Sequence, residues 1–106
     1  MTRVTSTRGV RFDAVVQDDQ KRYYDIKMQV ENAGDLGKRA RYYQSQIDNE
    51  TLMKGQTFHK LKGSFVILLS TFDPFSYGLR RYQFHHYEDS IRDLRLDTHS
   101  HELFIN

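Results

Sequence analysis

Alternation of apolar and polar positions predicts a β-hairpin near the start of the chain. Residues 8–17, "RGVRFDAVVQ", and residues 22–30 both repeat with the period of two that is typical of a strand. The polar segment "DDQK" between them is typical of a turn, so the two strands are predicted to pair antiparallel. The apolar side chains of the second strand are expected to form its core face: Ile26, Met28 and Val30.

After the hairpin the apolar repeat changes to that of a helix. Apolar residues recur at helical spacing over 35–53, which predicts a helix with Asp35 as its N-cap and Gly55 as its stop. Residues 64–72, "SFVILLSTF", form a continuous apolar run typical of a buried central strand, and 82–106 are expected to add C-terminal strands. This order predicts an α/β or α+β fold, in which a helix covers one face of a mixed sheet.

Composition limits the class of protein. With 106 residues the chain is expected to form a single domain. The chain has no cysteine, which excludes a disulfide scaffold and a thiolate metal site. No apolar run approaches the roughly 20 residues of a membrane span, and no secretory signal is evident, so we expect a cytoplasmic protein without a membrane partner. A net charge of +2 is too small to indicate a nucleic-acid partner.

The polar face of the second strand carries the candidate chemistry. Asp25, Lys27 and Gln29 alternate along it, and Asp13 lies in the facing strand. Carboxylates on adjacent strands suit a hard cation such as Mg²⁺, beside which a lysine or glutamine could orient a water for phosphodiester hydrolysis. The alternative is structural, since Asp13 could form an ion pair with Arg11 or with Lys27 across the hairpin.

Several blocks in order resemble the PD-(D/E)XK nuclease family transposases: "RGVRFDAVVQDD", "YYDIKMQ", "KRARYYQSQID", "FVILLSTFDPFSYG" and "YQF". The resemblance runs from about Arg8 to Asn106. It implies a restriction-endonuclease-like core and a DNA endonuclease that depends on Mg²⁺ or Mn²⁺.

The resemblance also implies roles for individual residues. Asp13 matches the family's metal-binding aspartate, and Gln29 matches the glutamine that replaces the superfamily's lysine. Lys27, however, stands where the family has a catalytic glutamate. Alternatively, Asp25 and Lys27 form a "DxK" site in which Asp25 joins Asp13 as a metal ligand, with the register shifted by two residues, about 6.6 Å. The function is therefore either metal-dependent DNA cleavage or, with an inactive site, DNA binding or self-assembly.

Two expectations concern partners. DNA contacts are expected from basic residues of the helix and of a later loop: Lys38, Arg39, Arg41, Arg80 and Arg81. Family members begin with further residues, including a helix, whereas only "MTRVTST" precedes the first predicted strand. We therefore expect a partial copy of the fold that lacks that helix and one sheet edge, and that associates as a homodimer or larger. Outside the family, the alternative is a basic β-rich module that binds RNA or protein.

Overall fold

The computed structural model describes residues 2–7, 11–52, 57, 58, 61 and 63–106. Its elements are β1 (Thr2–Thr7), β2 (Arg11–Gln17), β3 (Tyr23–Gln29), α1 (Leu36–Thr51), β4 (Ser64–Ser70), β5 (Arg81–Phe84) and β6 (Ser100–Ile105). The strands form one sheet in the order β1-β2-β3-β4-β6-β5. Antiparallel pairs at both ends flank a parallel centre made of β3, β4 and β6. This arrangement confirms the predicted mixed sheet with one covering helix.

The turn between β2 and β3 is organised by Asp18. Its Oδ1 accepts hydrogen bonds from the backbone N–H groups of Gln20 and Arg22, both at 2.9 Å. Its Oδ2 accepts from the Arg22 guanidinium at 2.8 Å and from the Tyr24 hydroxyl at 3.0 Å. Hydrogen bonds to the carboxylate lower the pKa of Asp18 to about 2, although its desolvation acts in the opposite direction. These contacts set the antiparallel register of the predicted hairpin, which the strand pairing confirms.

Helix α1 connects β3 to β4 and lies across one face of the sheet. Asp35 occupies the N-cap position, but its side chain makes no capping hydrogen bond. Instead its carboxylate accepts from Arg39 Nε at 2.8 Å, one turn along the helix. The C-cap is Leu52, and the predicted stop at Gly55 lies outside the described residues.

The core forms between α1 and the parallel strands. Leu36, Ala40 and Ile47 are the buried residues of the helix, and they pack against the sheet side chains Val66, Leu68, Tyr82 and Phe104. Burial stabilises each of the Leu, Ile, Val and Phe side chains among them by about 1.5–3 kcal/mol relative to exposure.

The structure contradicts the predicted orientation of β3. Asp25 and Gln29 are buried beneath α1, at 3% and 7% exposure, whereas Met28 and Val30 are exposed. The expectation that the apolar residues form the core face is therefore wrong. The reason is that α1 crosses the polar face of this strand, where its own apolar residues pack against Val66 and Leu68 of β4.

Two further predictions need correction. Residues Thr2–Thr7 form β1, which pairs with β2 along its length, so the expectation that the fold lacks this sheet edge is wrong. In the region 82–106 that is predicted to add C-terminal strands, β5 begins one residue earlier, at Arg81, and ends at Phe84, so His85 and His86 lie beyond it. In the part of the chain that the structure describes, no helix is long and apolar enough to cross a membrane.

Candidate active site

Lys27 lies at the centre of the candidate site. The register of the hairpin places it directly opposite Asp13. Its ammonium Nζ lies 2.9 Å from Asp13 Oδ1 and 3.4 Å from Asp25 Oδ1. The predicted ion pair across the hairpin is therefore present, and it includes both carboxylates.

Helix α1 covers this cluster. The ammonium lies 4.5 Å from the centre of the Tyr43 ring, a distance typical of a cation–π contact. Beside it is a cavity of about 140 Å³ lined by the three charged residues and by the C-terminal half of the helix, including Ile47. The Lys27 side chain is 14% exposed and that of Asp13 is 39% exposed, so solvent reaches the cluster from the Asp13 side.

Burial disfavours the ionised form of Asp25. Desolvation raises the pKa of this carboxyl to about 6, and the nearby Asp13 adds to the rise. The Lys27 ammonium acts in the opposite direction but does not compensate for burial. The Oδ1 atoms of Asp13 and Asp25 are both buried, and the Lys27 ammonium is their main stabilising contact.

Gln29 is held apart from the cluster. Its side-chain oxygen accepts a hydrogen bond from Arg39 Nη1 at 2.8 Å, and the same guanidinium binds Asp35. This network fastens the first turn of α1 to the end of β3. The structure therefore brings Asp13, Asp25 and Lys27 together, whereas Gln29 does not line their cavity.

The cluster as arranged does not fit a divalent metal. Two carboxylates are suitable oxygen donors for Mg²⁺, which needs ligands at about 2.0–2.1 Å. However, the Lys27 ammonium lies where their Oδ1 atoms converge. A divalent cation about 4 Å from an ammonium is repelled by several kcal/mol even at an effective dielectric near 20. Among the described residues, no group of three or more His, Asp or Glu side chains could hold a metal ion.

The register bears on the shifted "DxK" alternative. Asp25 pairs with Val15, an apolar residue, and not with Asp13. The observed pairing places Lys27, and not Asp25, directly opposite Asp13, although the carboxylates of Asp13 and Asp25 both reach the Lys27 ammonium.

The predicted DNA-contacting residues lie near one edge of the sheet, the edge formed by the carboxyl ends of the parallel strands β3, β4 and β6. Gln29 at the end of β3 pairs with Ser70 at the end of β4. Ile105 at the end of β6 pairs with Arg81 at the start of β5. Of the five predicted basic residues, four are exposed: Lys38, Arg41, Arg80 and Arg81. Arg39 is only partly exposed, and its guanidinium donates to Asp35 and Gln29.

Two features of the structure are not evident from the residue order. Tyr43 belongs to the apolar stripe of the helix, and no sequence pattern indicates that its ring packs on Lys27. The segment "FDPF" contains Asp73, which organises the turn after β4 through hydrogen bonds to three backbone N–H groups. An aspartate before proline in a loop is a recognisable turn signal, but its hydrogen-bond partners are not readable from it.

A mixed sheet with a hairpin that carries acidic residues beneath a crossover helix defines a restriction-endonuclease-like α+β fold. Residues 2–93 match the family model described as PD-(D/E)XK nuclease family transposase, and the chain belongs to this family. Members of the wider nuclease group generally depend on divalent metals. No curated protein matches the chain, and no solved structure matches it.

Proposed function

We propose that this domain binds DNA and cleaves it slowly or not at all, because Lys27 takes the place of a metal between two carboxylates. The family membership implies a nuclease- or transposase-associated role with DNA as the substrate. The observation that carries the proposal is the position of Lys27 Nζ, at 2.9 Å from Asp13 and 3.4 Å from Asp25.

The contacts of Lys27 stabilise its ammonium in the position between the two carboxylates. Removing one partner of a buried ion pair typically destabilises a protein by about 3–5 kcal/mol, a value to be reduced here because Asp13 is partly exposed. The Tyr43 ring adds a further attraction on the helix side. A metal would have to displace an ammonium that already has three favourable contacts.

The basic edge of the sheet supports DNA as the partner. Lys38 and Arg41 are exposed on the first turns of α1, and Arg80 and Arg81 are exposed at the start of β5. Each phosphate contact by a Lys or Arg releases counterions, which makes binding salt-dependent. Arg39 is expected to position the helix and not to contact DNA directly.

The second candidate is a metal-dependent DNA endonuclease. The observation that favours it is the convergence of Asp13 and Asp25 on one point, together with the raised pKa of Asp25, a pattern common at functional sites. In that case Lys27 must leave its position before Mg²⁺ or Mn²⁺ can bind to the two carboxylates.

Paired binding and cleavage assays test the proposal. We expect the parent protein to bind a labelled DNA duplex with an affinity that falls as salt rises, and to leave a supercoiled plasmid intact with Mg²⁺ or Mn²⁺. The double variant Lys38→Ala with Arg41→Ala should reduce the salt slope by about 2. The matched control is Arg92→Ala with Arg95→Ala, two exposed arginines of the segment between β5 and β6. Metal-dependent nicking that disappears in Asp13→Ala would overturn the proposal in favour of the endonuclease.

Self-association is a further part of the proposal. The sheet face opposite α1 carries mainly apolar side chains that are only partly covered: Tyr24, Ile26, Met28, Phe65, Ile67, Leu69 and Ile105. Sheets with parallel strands are normally covered on both faces. We expect a second copy to cover this face, and light scattering at high concentration that finds a monomer would reject this expectation.

The cytoplasmic location of the protein stays a prediction.

A further inference from the structure

The turn between β4 and β5, residues 73–82, is held by unusually complete hydrogen bonding, and we refer to it as the Tyr77 turn. Asp73 Oδ1 accepts from the backbone N–H groups of Phe75 at 3.2 Å and Ser76 at 3.0 Å. Its Oδ2 accepts from the N–H of Gly78 at 2.8 Å. One carboxylate thus fixes three backbone groups of the turn.

The Tyr82 hydroxyl fixes two further N–H groups, one between those bound by Asp73 and one directly after them. It accepts from Tyr77 N at 3.1 Å and from Leu79 N at 3.2 Å, and it donates to Asp73 Oδ1 at 2.7 Å. Tyr82 itself is buried against the core, where its ring lies 5.0 Å from that of Phe75. Five consecutive backbone N–H groups are therefore anchored through two side chains to the rigid part of the fold.

This rigid turn presents an aromatic ring to solvent. Tyr77 is 83% exposed, and the neighbouring Leu79 is 53% exposed. The core gains nothing from a ring in that position. Fixing the backbone around it in advance lowers the entropy lost when the ring binds a partner, which is the usual advantage of a pre-organised contact. A tyrosine also supplies a large flat surface with few rotatable bonds.

Two exposed cations belong to the same turn. Arg80 and Arg81 come three and four residues after Tyr77, and both are exposed. Asn106 steadies this end, since its backbone N–H donates to Arg80 O and its side-chain amide donates to Leu79 O, both at 2.9 Å. The turn lies at the same edge of the sheet as Gln29 and the N-terminal end of α1, because Ser70 of β4 pairs with Gln29.

We propose that the Tyr77 turn is a base-stacking element for unpaired DNA, in which the Tyr77 ring stacks on a base while Arg80 and Arg81 contact the adjacent phosphates. This inference deepens the proposed function and rests on it. An aromatic ring can stack only on a base whose face is free, and in a regular duplex each face is covered by its neighbours. The occupant is therefore a single strand or a locally unpaired site.

The surroundings favour a nucleic acid over a protein partner. The exposed apolar groups of the turn are Tyr77 and Leu79, too few for the roughly 800 Å² that each side contributes to a stable protein interface. The carboxylate of the turn, Asp73, is already engaged by four donors. An exposed aromatic residue with exposed arginines in the same turn is the combination that single-strand binding uses.

Anisotropy measurements with a fluorescein-labelled oligonucleotide, as a single strand and as a full duplex, test the inference at low salt. We expect Tyr77→Ala to lower the affinity for the single strand by about tenfold, the size of a lost base stack. Tyr77→Phe should retain the affinity because it keeps the ring. Tyr77→Leu should lose it because it keeps only apolar bulk. Affinity for the duplex should be unchanged in all three variants.

The matched control is Tyr87→Ala. Tyr87 is 49% exposed and also has an arginine beside it, with Arg95 5.4 Å from its ring. It lies beyond Phe84, the end of β5 that pairs with Glu102, and therefore away from the edge that carries Tyr77. Thermal unfolding should be the same for the parent and the Tyr77 variants, because the backbone N–H of residue 77 is retained.

The outcomes separate the two proposals. If the parent binds neither form of DNA, the proposed function fails and this inference fails with it. If the parent binds DNA but Tyr77→Ala binds the single strand as well as the parent does, this inference alone is overturned. Equal losses in Tyr77→Ala and Tyr87→Ala, or retention of affinity by Tyr77→Leu, would also overturn it.

Discussion

The Lys27 cluster, formed by Asp13, Asp25 and Lys27, and the Tyr77 turn both contain aspartates, but the carboxylates of the two regions have contrasting contacts. In the cluster, two carboxylates face one ammonium, and burial raises the pKa of Asp25 to about 6. In the turn, Asp73 receives four hydrogen bonds, and the donation from Tyr82 contributes most to lowering its pKa. The comparison indicates that the cluster is short of positive charge and donors, whereas the turn is saturated. A buried carboxyl group with a raised pKa is common at functional sites, whereas full hydrogen bonding is the ordinary state of a buried polar group.

The largest expected effect comes from changing the charge at the centre of the cluster. Lys27→Glu replaces a repulsive cation with a third carboxylate opposite Asp13, so affinity for Mg²⁺ or Mn²⁺ should rise by orders of magnitude. Without metal, the variant should unfold at a lower temperature than the parent because three carboxylates repel one another. Added Mn²⁺ should restore its stability, which differential scanning fluorimetry measures.

Lys27→Gln is the control for this substitution, because it removes the cation without adding a ligand. Its melting temperature should respond to Mn²⁺ less than that of Lys27→Glu. An equal response of the parent protein to Mn²⁺ would show that Lys27 does not exclude the metal.

The next largest effect tests how much the hydrogen bonds of the Tyr77 turn contribute to stability. Tyr82→Phe removes one hydroxyl that joins Tyr77, Leu79 and Asp73, which deprives the N–H groups of Tyr77 and Leu79 of their acceptor and Asp73 of one of its four donors. We expect a loss of about 1–3 kcal/mol in the free energy of unfolding, measured by urea denaturation. Tyr87→Phe is the control, since Tyr87 is exposed and should lose less than about 0.5 kcal/mol. Equal values for the two variants would contradict the role of the hydroxyl.

A smaller effect is expected from the backbone of the same turn. Gly78 has a φ of +78°, a conformation that residues with a Cβ rarely adopt, and a Cβ added there would meet no atom within 4 Å. Gly78→Ala should therefore destabilise the protein by about 1 kcal/mol through backbone strain alone. Gly37→Ala is the matched control, because Gly37 lies in α1 with the same open space, and this change should stabilise by about 0.5–1 kcal/mol. The same sign for both variants would rule out strain at Gly78.

The last prediction concerns pH, where the two regions should have opposite signs. The pKa of Asp25 is raised from 3.8 to about 6, so its contribution to stability is present below pH 4 and is lost as the pH rises through 6. The pKa of Asp73 is lowered, so its contribution is present above pH 4 and is lost as the pH falls through that lowered value.

Substitution by asparagine isolates each contribution. Asp25→Asn should flatten the curve of stability against pH between pH 4 and 7, because it removes the carboxyl group that titrates there. The raised pKa of Asp25 already includes the attraction of Lys27. Asp73→Asn should flatten it only below pH 4. Thermal unfolding across this pH range measures both, and a loss of stability in Asp25→Asn that grows above pH 6 would reverse the assignment.

The amino-acid sequence by itself determined the hairpin, the helix, the central strand and the family. The period of two grouped Asp25, Lys27 and Gln29 on one face of a strand, and the hairpin pairing placed Asp13 opposite Lys27. These features depend on local backbone geometry and on short-range pairing, both of which leave a pattern in the residue order.

Only the tertiary structure decided which face of β3 is buried. Periodicity shows that residues share a face, but it does not show across which face the helix passes. That choice depends on the path of α1 from β3 to the parallel strand β4. It placed Tyr43 over the Lys27 ammonium, engaged Gln29 with Arg39, and left Met28 exposed. The same long-range packing set the partners of Asp73, because the Tyr82 hydroxyl reaches it only once β5 has paired with β6.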